Sequence, residues 1–190
     1  MKPHARILGI DDSPFKFKDE HALVVGALVR VPNYLESVMR TEIAVDGTDA
    51  TEKLIEMIKR SRYRDQIKAV MLDGVTFAGF NVVDIEELSS STGIPIITIT
   101  RDKPDLEKMR EALMKYFDDW KSRYGIITKL ELRTVKTEHR PVYVSSSGAD
   151  KREMDALVVA ATVRGAIPEP IRIAHLVASA MVRGESYGSS

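Results

Sequence analysis

The fold turns on the stretch IKAVMLDGVTFAGFNVVDI, residues 67–85, taken together with HARILGIDDSPF, residues 4–15. In each, an apolar run suited to a buried strand stops on a carboxylate, Asp73 in the first and Asp11 in the second. An ionised carboxylate is costly to bury without a partner, so two such endings need a reason. Two carboxylates side by side repel, and a divalent cation shared between them holds both in the ionised form.

Working outward, residues 5–10 form a short strand ended by Asp-Asp-Ser-Pro. Residues 22–31 are rich in Val and Leu and suit a mid-sheet strand, with Gly26 marking a bulge or a close approach. A more alternating strand covers 34–45. Residues 48–60 carry Ala50, Leu54, Ile55 and Ile58 at helical spacing behind a Thr48 or Asp49 cap. A strand over 67–72, a helix over 82–91 closed by Gly93 and a strand over 94–99 follow. Residues 105–121 are an amphipathic helix with Leu106, Met109, Leu113 and Phe117 on one stripe. The last third offers strands over 126–135 and in RPVYVSSSG, then helices over 151–164 and 170–182.

Hairpin-linked strands feeding βαβ units give a mixed sheet of five strands or slightly more, with flanking helices, in one domain over residues 1–190. This is the strand order of the ribonuclease H-like fold, whose first and fourth strands lie side by side and parallel. Asp11 and Asp73 then emerge at neighbouring strand ends, at the edge where α/β sheets place ligands.

Composition narrows the classes. Lys plus Arg and Asp plus Glu both number 28, which argues against coating nucleic acid through bulk charge. Between Lys121 and Arg152, however, basic residues outnumber acidic ones more than two to one. Without cysteine there is no disulfide framework, thiolate metal site or Cys nucleophile. No apolar run nears the roughly twenty residues needed to span a bilayer. The opening MKPHARILGIDD enters a strand with no signal-peptide core, so a cytoplasmic protein is expected.

The other candidate residues carry alternatives. Asp11 could simply start an Asx-type turn, and Asp73 a plain βα turn. Asp46, Asp49 and Glu52 surround a strand-to-helix turn; Asp49, with Asp46 as its substitute, would complete a three-carboxylate Mg²⁺ or Mn²⁺ site for phosphodiester hydrolysis, or serve only as a helix cap. Arg101 follows the strand IPIITIT, as a phosphate clamp or a solvated strand end, with Lys103 as its substitute. His4, His21 and His139 lie in polar contexts and His175 in an amphipathic helix, where surface or packing roles are the default; no pair has zinc spacing. Ser145 to Ser147 lack a nucleophile-elbow pattern, and Gly74 and Gly79 make no dinucleotide or P-loop fingerprint.

These motifs resemble endonuclease V and, more closely, the archaeal DUF99/UPF0215 proteins of uncharacterised function. LGIDDSPF resembles the family's first metal motif, placing a ligand role on Asp11. VMLDGVTFAGFNVVDIEELSSSTGIPIITITR resembles the strand bearing the second metal Asp, here Asp73, and the strand bearing the active-site Lys, here Arg101. The stretch from Arg140 through IPEP to the last helix is similar to the family's C-terminal part. The resemblance implies Mg²⁺ or Mn²⁺, with Asp11, Asp49, Asp73 and Arg101 as site residues. It also has gaps. The Glu of the third motif becomes Asp49, no Pro-Tyr-Ile-Pro wedge matches RVPNYLESVMRTEIAVDG, and no histidine falls at residues 148–150.

Three readings follow. The first is a metal-dependent nuclease on single-stranded or flexible nucleic acid, with altered or lost preference for deaminated bases. The second is a nucleic-acid-binding homologue without turnover. The third is a phosphoacceptor receiver, disfavoured because SPFKFKDEHALVVGALVRV runs into a strand where a receiver needs a helix.

Overall fold

The computed structural model describes residues 5–16, 18–129 and 131–186; the expectation for His4 lies outside them. Strands β1 (Arg6–Asp12), β2 (His21–Arg30) and β3 (Tyr34–Ala44) run as an antiparallel meander. Then come α1 (Ala50–Lys59), β4 (Ile67–Asp73), the two-residue strands β5 (Thr76–Phe77) and β6 (Asn81–Val82), α2 (Ile85–Thr92) and β7 (Ile96–Thr100). The chain finishes with α3 (Leu106–Tyr116), α4 (Trp120–Thr128), β8 (Arg133–Val135), β9 (Val142–Ser147), α5 (Lys151–Ala161) and α6 (Glu169–Arg183). The main sheet has seven strands in the order β3-β2-β1-β4-β7-β9-β8, with β1, β4 and β7 mutually parallel. This is the expected ribonuclease H-like arrangement, and Ile10 pairs with Leu72 one step before Asp11 and Asp73.

The two-residue period of the strands divides the core into layers. Leu8, Ile10, Val70, Leu72 and Ile96 pack against α1 and α2 on one face. Ile7, Met71, Ile97 and Ile99 pack against α5 and the start of α6 on the other. α6 crosses β1 so closely that a Cβ added at Gly9 would stand 2.1 Å from the Pro170 carbonyl carbon. Only glycine leaves room for that crossing, which fixes the helix over the end of β1.

Three elements differ from expectation. The helix expected over 105–121 breaks at Phe117, whose backbone is extended, and restarts at Trp120. The strand expected from 126 is helical to Thr128, because Leu113 and Ile127 close a separate small core with Trp120 at the α3–α4 corner; only Arg133–Val135 is strand. The helix expected from 82 begins at Ile85, since β6 occupies Asn81–Val82 and Asp84 caps the helix through the Glu86 and Glu87 N–H groups.

Candidate functional site

Strand parity sends Asp11 and Asp73 to the α6 side of the sheet, with Met71 and Ile99 below them. Asp11 is 4 % exposed. One of its oxygens accepts the Asp12 N–H at 2.9 Å, and the other lies 2.7 Å from Nδ1 of His175, which α6 delivers from the far end of the chain. Burial, reinforced by the Asp11 charge, pushes the Asp73 carboxyl up to about 7, against the pull of Arg101 and His175. The bond to Asp11 raises the His175 imidazole above its ordinary value, opposed by partial burial. A cleft of about 20 Å³ is bounded by Asp73, Arg101, Arg172 and His175, with Ile171 among its apolar walls. That is room for one water-sized occupant. Arg172 is held by Glu169 at 2.5 and 2.8 Å.

Asp12 faces the opposite layer. Its carboxylate accepts the Ala78 N–H at 2.5 Å, and burial pushes it up to about 6, with Ala78 opposing and Asp11 adding to the rise. It anchors the segment joining β5 and β6. Asp46, at φ 54, accepts the Phe80 N–H at 2.8 Å in the same segment.

The structure brings Asp11, Asp73 and Arg101 to one edge and commits Asp49 elsewhere. Asp49 stands at the N-cap position of α1 but makes no capping bond. Its carboxylate accepts the Ala44 N–H at 3.1 Å and the Asn81 side-chain amide at 2.7 Å, tying the β3–α1 turn to β6. Among the described residues no group of three His, Asp or Glu is placed to hold a metal ion. Glu52 lies with Asp84 and Glu87 in a separate groove, and Lys103 is exposed. His21 is exposed, and His139 contacts the Val163 carbonyl at 3.1 Å. The basic stretch after Lys121 is largely paired internally. Arg123 is buried against the Gly47 and Phe80 carbonyls and Asp119, Arg133 meets Asp155, and Lys151 meets Glu131.

His175 is the residue that sequence reasoning passed over. Its signal was positional: it follows the fully buried Ile171 by four residues, on the helix face turned to the sheet. Asp12 was hidden by its neighbour, because adjacent strand residues face opposite layers.

The sequence profile of the family described as endonuclease dU matches residues 3–182. A UPF0215 protein of Methanothermobacter thermautotrophicus is 45% identical over 100% of this chain and 94% of its own length. The crystal structure of a protein of unknown function from Archaeoglobus fulgidus superposes with a TM-score of 0.83 at 40% identity, covering 94% of this chain and 99% of that one. Human ENDOV shares the fold at a TM-score of 0.64 and 14% identity, over 96% of this chain and 86% of its own. So does Ciona intestinalis endonuclease V, solved with an inosine-containing DNA, at 0.61 and 14%, over 92% and 84%.

Proposed function

Because the chain belongs to the endonuclease dU family, we propose that it hydrolyses phosphodiester bonds in flexible or single-stranded nucleic acid carrying deoxyuridine, with Mg²⁺ or Mn²⁺ held by Asp11 and Asp73. The observation behind this reading is the pair of carboxylates on adjacent parallel strand ends, one of them raised to about 7 by burial and its neighbour's charge. Such a pair is a poor resting state without a cation and a good ligand set with one. The donors fit a hard divalent ion, which binds through one or two carboxylates and leaves its other positions to water and substrate phosphate. The cleft beside Asp73 has the volume for it. Such an ion would supply charge neutralisation and an activated water.

The chain's own groups would do the rest. Arg101 and Arg172 border the cleft and offer planar donors to phosphate oxygens. With Nδ1 of His175 engaged on Asp11, Nε2 is the atom left to hold or pass a proton at the leaving oxygen. Asp49, tied to Ala44 and Asn81, favours a second reading in which the site binds nucleic acid without turnover.

Single-stranded oligonucleotides carrying one deoxyuridine, one inosine or neither, incubated with and without Mn²⁺, separate the two. We expect slow Mn²⁺-dependent cleavage that favours deoxyuridine. Inosine should change the rate by less than about tenfold, roughly 1.4 kcal/mol. Asp73→Asn should lower the rate at least about a hundredfold, as loss of a charge-stabilising group does. Full activity in that variant would sink the assignment of the carboxylates, and binding without cleavage both with and without Mn²⁺ would leave the second reading.

A further inference from the structure

The two edges of the main sheet are built differently. β8 closes one edge with three residues, too few to template another strand. β3 forms the other with eleven, and its outer side pairs with no strand among the described residues. A long bare edge invites pairing, and proteins blunt such edges with bulges, prolines or charged side chains. Here the blunting is confined to the first half of the strand. Glu36 is the extra residue of a bulge between the Leu28–Ser37 and Val29–Leu35 pairs, and Arg6 and Arg30 hold its carboxylate. From Val38 to Ile43 the pairing with β2 is regular.

The backbone of that second half is aimed outward. Val45 donates its N–H to Glu20, just before β2, whereas Ala44 donates to the Asp49 carboxylate instead. Main-chain groups alternate sides along a strand, so Arg40 and Glu42 turn their N–H and C=O groups away from β2. The side chains stand clear as well. α6 packs over β1 and β2, and beside it Val38 is 43 % exposed. The Arg40 and Glu42 side chains are each 62 % exposed, with their charged ends 3.9 Å apart. Being opposite in sign, they do not blunt the edge against a copy of itself.

We infer that two copies of this chain pair antiparallel through β3 about a two-fold axis at Thr41, joining their seven-stranded sheets into one. In this register Arg40 lies opposite the partner's Glu42, and Glu42 opposite the partner's Arg40. Each pair exchanges two main-chain hydrogen bonds and sets opposite charges side by side. Val38 lies opposite the partner's Ala44 and Met39 opposite the partner's Ile43. Beside the axis, a groove of about 140 Å³ lined by Met39, Thr41, Met57 and Arg60 gives room to the partner's Thr41. Neighbouring registers fail. Centring on Arg40 opposes it to itself, and centring on Met39 opposes Glu36 to Glu42. Centring on Val38 requires Glu36 to leave Arg6 and Arg30. Asp11 is level with Arg40 through Val25, so the two acidic pairs stand five strand spacings apart, about 24 Å.

The chain has no cysteine, so one can be placed on the axis. Sedimentation of the full chain at about 100 μM should give twice the chain mass, a concentration at which even a modest affinity registers. The two Thr41 residues meet at a non-hydrogen-bonded position, with Cα atoms about 4.5 Å apart, within the reach of a disulfide. Thr41→Cys should therefore form an intermolecular disulfide on mild oxidation. Leu35→Cys, six residues from the axis on the same edge, should not. Arg40→Glu and Glu42→Arg should each weaken dimerisation at least about tenfold, because each places like charges opposite one another twice. An equimolar mixture of those two variants should recover the dimer, since every opposed pair is then of opposite sign. A folding defect in either variant would not be repaired by mixing. A wild-type monomer at that concentration overturns the inference and leaves the edge to some other strand. A dimer that ignores both charge reversals, or a mixture that stays monomeric, overturns it equally.

Discussion

Asp49 and Asp73 carry the same functional group, yet their surroundings assign them opposite energetic signs. Asp49 accepts a backbone N–H and a side-chain amide, so its removal leaves the Ala44 N–H and Asn81 short of a partner in a half-buried turn. We expect Asp49→Ala to cost about 1–3 kcal/mol in urea unfolding, the usual cost of an unsatisfied buried donor. Asp73 sits in repulsion with Asp11. Asp73→Asn should leave metal-free stability unchanged or higher, and should abolish any stabilisation by Mn²⁺. An Asp49→Ala protein as stable as the parent, or a full Mn²⁺ response in Asp73→Asn, would reverse these assignments. The pair also shows what one sequence can tell. Asp11 and Asp73 were legible because each interrupts an apolar run that forms a strand. The role of Asp49 was not, because a carboxylate before a helix looks the same whether it caps, ligates or braces a turn. His175 was illegible for a related reason, since its partner lies 164 residues away and no local pattern encodes that distance.

Among the elements, β1 and α6 form the pairing on which the site depends. Gly9 admits the Pro170 backbone, and the helix that starts there carries His175 to Asp11. Gly9→Ala pushes a methyl into main-chain atoms that no rotamer change can move. We expect a loss of roughly 1–3 kcal/mol or more, as for overpacked cores. The displaced helix should also weaken the His175–Asp11 contact, visible as a fall in the imidazole pKa by NMR. A Gly9→Ala chain with parental stability and an unshifted imidazole would show that α6 can lift without consequence. The long apolar strands and the capped helices were readable from periodicity and chain order. The α3–α4 corner was not: Ile126 and Ile127 suit a strand as well as a helix, and the choice was made by Leu113 and Trp120, which they meet only after folding.

At the scale of the whole molecule, three groups couple protonation to stability in the same direction. Asp12 and Asp73 are raised by burial to about 6 and about 7, so between about pH 4 and 7 the folded chain binds more protons than the unfolded one. Their contribution to stability therefore declines as pH rises through that window. His175 is raised by its bond to Asp11, so its contribution is complete below its unfolded value near 6.5 and declines above it. The metal-free protein should accordingly melt at a higher temperature at pH 5.5 than at pH 8. Mn²⁺ should raise the melting temperature chiefly at pH 8, where the carboxylates are ionised, by an amount equivalent to about 2.7 kcal/mol at a hundredfold excess over its dissociation constant. Calorimetry at both pH values, with chelator and with Mn²⁺, tests this; a metal-free protein more stable at pH 8 would contradict it.

The reach of α6 back to β1 also sets a timetable for biosynthesis. Asp11 and Asp73 leave the ribosome well before α6, which carries both the histidine paired with Asp11 and the Arg172 that borders the cleft with Asp73. A chain halted before Glu169 has the acidic pair but neither of these groups, and its Ile7 and Met71 lack the Ile171 that packs over them. The carboxylate edge is thus incomplete until α6 has been made, and a product truncated before Glu169 should be poorly folded.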